Sequence, residues 1–180
     1  DDGYLVAGNF LYGPLDVGDG NSVTSAGYND GLIVKYSKDG TVEWVNTVGG
    51  TSMDSVYDVE STTDGGYVIV GSFSSSKMSF GNGIELSTTG YYDGYVAKYD
   101  SNGACEWVKK IGSSNSEYAT SVVATPDGGC AVGGFVAGAV TLDKVNLSIS
   151  GRACYLVKFS KTGETEWGNS ISNGFSNTVN

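Results

Sequence analysis

Histidine is absent from the 180-residue sequence, and other residue types that carry common chemistry are scarce. Without an imidazole base, the usual Ser-His-Asp hydrolytic triad is excluded. The three cysteines (Cys105, Cys130 and Cys154) contain no CxxC pair, and their odd number rules out full disulfide pairing within one chain. We therefore expect buried free thiols rather than zinc ligands.

Basic residues are also few, with 10 Lys and Arg against 20 Asp and Glu, giving a net charge of −10. An acidic surface repels phosphate backbones, so we expect no nucleic-acid partner. No segment approaches the roughly 20 apolar residues of a membrane span, so we expect none. No signal peptide is visible and the chain begins at Asp1 without a Met, from which we expect a processed or excised piece of a longer product.

Proline is rare (2 residues) while glycine is abundant (28 residues), and the glycines recur in register. The motif DDGYLVAG at residues 1–8 returns as DGGYVIVG at 64–71 and DGGCAVGG at 127–134, a spacing of 63 residues each time. A second motif, ending in Glu-Trp, places its tryptophans at Trp44, Trp107 and Trp167. A fixed period of this length indicates one supersecondary unit used repeatedly.

The complete unit at residues 54–111 predicts four short antiparallel strands and no helix. The strands are predicted over residues 55–62, 67–73, 94–100 and 104–111, with a longer loop between the second and third. Turns with Gly separate the first strand from the second and the third from the fourth. Four such strands per period are typical of a propeller blade, whose two faces pack on neighbouring blades.

The last hairpin of each repeat predicts a cross-strand ion pair. A three-residue loop with Gly in the left-handed position places Tyr36 opposite Val42 and Lys35 opposite Glu43. We expect a structural ion pair here rather than a catalytic one, repeated as Lys98 with Glu106 and Lys158 with Glu166. The three tryptophans are then predicted to point to the opposite face and to wedge between adjacent blades.

These motifs resemble the bacterial beta-propeller repeat family of secreted and cell-surface proteins. The resemblance rests on DGYVAKYDSNG at residues 93–103 with the following Glu106-Trp107, on residues 64–73, and on the loop at residues 80–90. It covers essentially the whole chain and implies an extracellular or cell-surface location. It implies no defined activity. The third repeat departs most, since Arg152-Ala153-Cys154 replaces the Tyr-Asp-Gly type of sequence.

We therefore predict an all-β chain forming one β-propeller segment over residues 1–180, with about three four-stranded antiparallel blades of about 63 residues. The repeats are predicted at about 1–53, 54–115 and 116–176. Residue 1 begins at a second strand, and residues 177–179 align with 54–56, so one blade is expected to be split between the chain ends. Because propellers close with about 4–8 blades, we expect a partial ring or half of a six-bladed ring, with open faces prone to association. Either the chain is part of a longer propeller of six or seven blades, or two copies self-associate head to tail, each C-terminal strand completing the other's first blade.

Two candidate chemical sites involve acidic side chains. Asp54, Asp58 and Glu60 lie on or beside one strand and are the candidates for glycosidase chemistry with paired carboxylates. Asp16, Asp19 and Asn21 lie in a Gly-rich loop and could supply hard oxygens to Ca²⁺, although the EF-hand pattern does not match. We expect no other cofactor.

A third candidate site lies in the loops before the third strands, at the propeller rim. Tyrosine offers a flat apolar face with a polar tip, and Asn or Asp offers directional acceptors, a combination suited to a sugar or a protein. The alternative is that these residues only cap the strand. The candidate ligand-binding residues are Tyr28, Asn29, Asp30, Tyr91, Tyr92, Asp93 and Arg152.

Three functions follow from these patterns, in order of preference. The first is a non-enzymatic extracellular interaction or display module that binds a protein or glycan at its rim. The second is a lectin-like carbohydrate-binding propeller. The third is a glycoside hydrolase or lyase that uses the carboxylates named above.

Overall fold

The computed structural model describes residues 3–147 and 151–171. These residues form strands and turns, and none of them belongs to a helix that could cross a membrane. The strands are β1 (Tyr4–Leu11), β2 (Leu15–Gly18), β3 (Asn21–Val23), β4 (Asn29–Tyr36), β5 (Val42–Gly50), β6 (Asp54–Ser61), β7 (Tyr67–Phe73), β8 (Met78–Ser79), β9 (Glu85–Leu86), β10 (Asp93–Tyr99), β11 (Cys105–Ile111), β12 (Tyr118–Ala124), β13 (Cys130–Val136), β14 (Val140–Leu142), β15 (Val145–Leu147), β16 (Ala153–Phe159) and β17 (Thr165–Ile171).

The larger strands form antiparallel sheets that repeat along the chain. The second unit has the order β6-β7-β10-β11, and the third has β12-β13-β16-β17. The first unit has β1-β4-β5, and within the described residues β1 pairs with β4 alone, whereas β7 and β13 each have two neighbours. The expected all-β fold of repeated antiparallel sheets is confirmed. The expected pairing of residues 177–179 lies outside the described residues.

Each unit also contains a short hairpin where the sequence predicted only a long loop. The hairpins are β2–β3, β8–β9 and β14–β15. In the second unit, β8 pairs with β5 of the first unit through Gly50↔Met78, so the hairpin bridges adjacent units. Its Met78 and Phe80 are buried, which explains why apolar residues recur in this loop.

The predicted strand register is correct next to the turn and wrong one residue further. Tyr36 lies opposite Val42 as expected, but a bulge then places Lys35 opposite Trp44. The same shift recurs in β10–β11 and β16–β17. Lysine and tryptophan therefore share a face, and the prediction that they point to opposite faces is wrong. The bulge inserts one unpaired residue, the glutamate, into the fourth strand.

Two of the predicted ion pairs, Lys98 with Glu106 and Lys158 with Glu166, nevertheless form, because the bulged glutamate still reaches the lysine. Lys98 Nζ lies 3.3 Å from Glu106 Oε2 and 3.2 Å from Asp64 Oδ1, and it donates to the backbone oxygen of Tyr99 at 2.9 Å. Lys98 is buried although both carboxylates are partly exposed. A Cβ on Gly66 would lie 2.5 Å from Lys98 Nζ, so this glycine makes room for the ammonium group.

The core lies between successive sheets, and the tryptophans contribute to it as predicted in the first two units. Trp44 of the first unit stacks on Tyr67 of the second, with ring centroids 5.3 Å apart. Trp107 lies 6.2 Å from the Phe159 ring of the third unit and donates from Nε1 to the backbone oxygen of Lys161 at 3.0 Å. These contacts join each sheet to the next.

The cysteines are free thiols, but only two are buried. Burial raises the pKa of Cys105 to about 11 and that of Cys130 to about 12. Cys154 is exposed, so the prediction of three buried thiols is wrong for this residue. It lies on β16 two residues from Leu156, which is also exposed, and strand periodicity places both on the same face.

Candidate functional site

The loops before β4 and β10 lie against the turns that lead into β6 and β12. Tyr91 donates its backbone N–H to Asn115 O at 2.9 Å, and Glu117 donates to Tyr92 O at 2.8 Å. A Cβ on Gly90 would lie 2.1 Å from Asn115 O, so only glycine allows this close approach. Each of these loops therefore forms one continuous surface with the turn that it contacts, at this edge of the sheets.

Three of the predicted binding residues are buried beneath this surface. Asp93 Oδ2 accepts from Thr89 N at 2.7 Å and from Thr89 Oγ1 at 3.0 Å, and it lies 3.5 Å from Lys110 Nζ. Asp30 accepts from Ala26 N in the first unit. Asn29 donates to Asp54 O at 2.8 Å. These side chains hold the loops in place, which is the strand-capping role that the sequence left as an alternative.

A row of aromatic rings crosses from the second unit to the third at the same edge. Tyr92 stacks on Tyr118 at a centroid distance of 5.8 Å, and Tyr57 lies 6.5 Å from the same ring. Phe135 follows at 6.2 Å from Tyr118. The Arg152 guanidinium lies 5.5 Å from the Phe135 centroid, within cation–π distance.

Tyr91 and Arg152 meet in a shallow pocket of about 320 Å³ at the end of this row. A volume near 300 Å³ is at the lower end of the range for small-ligand sites. Tyr91 is strongly exposed, so its ring is available for stacking. The pocket is lined by Tyr91, Asn115, Ser116, Ala137, Gly151 and Arg152.

The sequence did not identify the other residues of this surface. Tyr57 lies within the strand predicted over residues 55–62, but a bulge between Val56 and Asp58 turns it out of the ladder, and its hydroxyl forms a hydrogen bond with Ser72 Oγ at 2.8 Å. Neither the bulge nor the approach of Asn115 to Tyr91 has a local sequence signal. Both depend on contacts between loops distant in sequence.

Tyr28 belongs to a different aromatic pair. Its ring meets Tyr12 edge to face with centroids 5.3 Å apart, and both rings are exposed. The pair lies in the first unit, and Tyr28 does not line the pocket that contains Tyr91 and Arg152. The predicted binding residues thus separate into a buried set, the exposed Tyr28 in the first unit, and the residues of the surface between the second and third units.

Two of the three candidate glycosidase carboxylates are engaged in structural hydrogen bonds. Asp54 is fully buried and accepts from Ser75 N at 3.1 Å and from Ser75 Oγ. Burial raises its pKa, and the bonds from Ser75 partly offset that effect. Asp58 accepts backbone N–H groups of Val59 at 2.9 Å and Val122 at 2.9 Å. Glu60 is exposed. The buried Asp54 is closed to a substrate in this arrangement.

The candidate calcium residues lie in the β2–β3 hairpin. Asp19 has φ of 53° and accepts from Val42 N at 2.6 Å. Asp16 accepts from Gly18 N at 2.8 Å, and Asn21 donates to Gly18 O at 3.2 Å. These contacts fasten the hairpin turn to the start of β5. Across residues 3–147 and 151–171, no group of three or more His, Cys, Asp or Glu side chains is arranged to hold a metal ion.

No protein-family model matches the chain, and no curated protein matches it.

Proposed function

We propose that this chain is a segment of an extracellular or cell-surface β-propeller that serves as a non-enzymatic interaction module. The support for the propeller is the repetition of antiparallel sheets whose apolar cores lie between successive units. The support for the location is the resemblance of the repeat motifs to the bacterial beta-propeller repeat family. The binding surface of the proposed module is the aromatic row with its adjoining pocket.

The observation that carries this function is the exposure of aromatic and cationic groups at one edge of two adjacent units. Tyr91 and Tyr57 are exposed, and Arg152 lies at the end of the row. Tyrosine and arginine are the residue types enriched at protein-binding hot spots. The Tyr91–Arg152 combination occurs in one place, because the third repeat replaces Tyr-Asp-Gly by Arg152-Ala153-Cys154. We therefore place ligand recognition where the repeats differ.

A lectin-like function is the second candidate, and the pocket favours it. Tyr91 offers a ring on which a sugar can stack, while Asn115 and Arg152 offer hydrogen-bond donors beside it. The guanidinium would favour a glycan that carries a carboxylate. The pocket volume suits one sugar residue at the end of a chain rather than a long oligosaccharide groove.

The test compares the purified wild type with two variants of the pocket, Tyr91→Ala and Arg152→Ala. Each is applied to an array of neutral and acidic oligosaccharides and, separately, used to capture extracellular proteins that are then identified by mass spectrometry. We expect one specific ligand to be retained by the wild type and lost in both variants. Lys144→Ala, which changes an exposed residue outside the pocket, serves as the control and should retain it.

Two results would contradict the proposal. If the retained ligand binds equally well to Tyr91→Ala and Arg152→Ala, the pocket is not the recognition site. If the wild type hydrolyses a panel of chromogenic glycosides and Asp58→Asn or Glu60→Gln abolishes that hydrolysis, the module is an enzyme. Binding to proteins without binding to any glycan would remove the lectin alternative alone.

A further inference from the structure

Equivalent side chains of the three units differ sharply in exposure at the two outer faces of the molecule. Tyr67 and Ile69 of the second unit face the first unit and are 2% and 0% exposed. Their counterparts 63 residues earlier, Tyr4 and Val6, are 60% and 49% exposed. We call the side of the first unit that carries Tyr4 and Val6 the leading face.

The opposite side of the third unit shows the same contrast. Ile111 of the second unit lies in the core shared with the third unit and is 0% exposed, while its counterpart Ile171 is 68% exposed. Trp167 is 44% exposed, whereas Trp44 and Trp107 are partly buried against the following unit. We call this side of the third unit, with Leu156, Trp167 and Ile171, the trailing face.

The internal contacts show what covers a trailing face. At the junction of the first and second units, Trp44 stacks on Tyr67, and Asn46 Nδ2 donates to Tyr67 Oη at 3.0 Å and to Gly103 O at 2.6 Å. At the next junction, Lys161 Nζ lies 3.4 Å from Asp64 Oδ2. A trailing face is therefore covered by the leading face of the unit that follows it.

The two outer faces carry the same groups as these internal junctions. Trp167 and Asn169 occupy the positions of Trp44 and Asn46 in the third unit, and Tyr4 occupies the position of Tyr67 in the first. Lys38 corresponds to Lys161, and Asp127 corresponds to Asp64, so the ion pair can form as well. The trailing and leading faces are complementary by the same contacts that already join the units.

We propose that two copies of this chain associate head to tail, the trailing face of each copy covering the leading face of the other. The contact is heterologous, because the two faces differ, and a heterologous contact gives a closed assembly only if its rotation closes. Two copies of the 180-residue chain together provide six units, which falls within the roughly 4–8 blades of closed propellers. The closure into a ring rests on the proposed propeller, whereas the head-to-tail contact rests on the exposure and identity of the residues above.

The occupant is a second copy because the leading face supplies both the aromatic and the charged partners that the trailing face requires. Tyr4 provides the ring and hydroxyl for Trp167 and Asn169, and Lys38 provides the cation for Asp127. An unrelated protein would have to reproduce this set. Association of two leading faces would instead bring Tyr4 against Tyr4 and leave both tryptophans exposed.

Light scattering coupled to size-exclusion chromatography tests the proposal over a range of concentrations. We expect the wild type to have twice the 18.7 kDa chain mass. Val6→Glu on the leading face and Ile171→Glu on the trailing face should each be monomeric. Each of the two contacts in the pair contains one leading and one trailing face, so either substitution places a carboxylate in both contacts. Both positions are exposed within one chain, so thermal unfolding of each variant should show an intact fold.

A mixture of the two variants distinguishes head-to-tail contact from other arrangements. The trailing face of Val6→Glu and the leading face of Ile171→Glu are both unaltered, so the mixture should form a dimer through one intact contact. The thiol of Cys154, beside Leu156 on the trailing face, should also react more slowly with a thiol reagent as wild-type concentration rises. Tyr91→Ala should lose ligand but remain dimeric, which separates this proposal from the function of the pocket.

Several outcomes would overturn the proposal. A wild type that stays monomeric at every concentration removes the contact. A wild type whose mass rises continuously beyond two chains indicates an open chain of copies rather than a closed pair. If Val6→Glu is monomeric while Ile171→Glu still dimerises, the contact is between two leading faces. A mixture that stays monomeric also contradicts the head-to-tail arrangement.

Discussion

Gly134 provides a direct test of how closely the strands of one unit approach each other. It lies on β13 opposite Ala119, and a Cβ there would lie 2.0 Å from Tyr118 O and 2.6 Å from Tyr155 Oη. A carbon–oxygen contact under 3.0 Å is essentially never observed, so Gly134→Ala must displace β12 by about 1 Å. That movement would also disturb the hydrogen bond from Tyr155 Oη to Tyr118 O, which is 3.1 Å long.

The expected destabilisation follows from these two effects. Overpacking a well-packed site costs about 1–3 kcal/mol, and loss of a neutral hydrogen bond costs about 0.5–1.5 kcal/mol. Gly134→Ala should therefore reduce the free energy of unfolding by about 1.5–4.5 kcal/mol. For a chain of this length, the melting temperature should fall by about 3–18 °C. Urea unfolding monitored by circular dichroism measures the change directly.

Gly133 is the matched control, because it is the adjacent residue on the same strand. A Cβ there would meet only Tyr155 O at 3.9 Å, an ordinary contact, and Val70 occupies the equivalent position of the second repeat. Gly133→Ala should raise the free energy of unfolding by about 0.4–1 kcal/mol, because alanine reduces the conformational entropy of the unfolded chain. Equal stability changes in the two variants, or a Gly134→Ala protein as stable as the wild type, would refute the assignment of close strand approach at Gly134.

Two further predictions concern charged groups. Asp143 accepts from Thr165 N and pairs with Lys109, which lowers its pKa to about 2. A lowered folded-state pKa contributes stability that is present above the unfolded pKa near 4 and is lost as the pH falls toward 2. Urea unfolding at several pH values should show that the free energy of unfolding falls less steeply with decreasing pH in Asp143→Asn than in the wild type. Asparagine fits this turn, because Asn82 has a similar positive φ in the second repeat. An equally steep fall in both proteins would contradict the stabilising role of the Asp143 carboxylate. Lys98→Met should lower the free energy of unfolding by about 1.5–3 kcal/mol, because it removes charged hydrogen bonds of a buried ammonium. Lys77→Met, which breaks only an exposed pair with Glu85, should change it by less than about 1 kcal/mol, and equal effects would count against the buried role of Lys98.

The repeat period allowed the strands of the second unit to be predicted with small errors. The second strand coincides with the prediction at residues 67–73, the first and third are shifted by one residue at both ends, and the fourth starts one residue later than predicted. This success has a physical basis, because Gly at positive φ ends each turn and fixes where a strand starts. Gly103 has φ of 82°, as do Gly40 and Gly65. A left-handed glycine is a local signal that requires no knowledge of the rest of the fold.

The features that could not be predicted arise from contacts between distant segments. The bulge at Glu106 is stabilised where Lys98 meets both Glu106 and Asp64, and Asp64 belongs to a turn 34 residues before the lysine. The β8–β9 hairpin forms because β5 of the preceding unit offers an edge to it. Neither partner is adjacent in sequence. Periodicity alone therefore predicted a loop where the hairpin forms, and a regular strand pair where the bulge forms.

The candidate site separates into repeated and unrepeated residues, and the two groups have different roles. Asp30 and Asp93 stand 63 residues apart, are both buried, and both brace the loop before a third strand, whereas Ala153 takes this position in the third unit. Arg152 has no basic counterpart, since Asn29 and Tyr92 take its position in the other units, and it lines the pocket together with Tyr91. Repetition selects for what makes a unit fold and stack, whereas a ligand needs only one site. Exposed residues that differ from their counterparts in the other repeats are therefore the better guide to function in this chain. Residues that match their counterparts but are exposed only at an outer face, such as Tyr4 and Trp167, are the better guide to assembly.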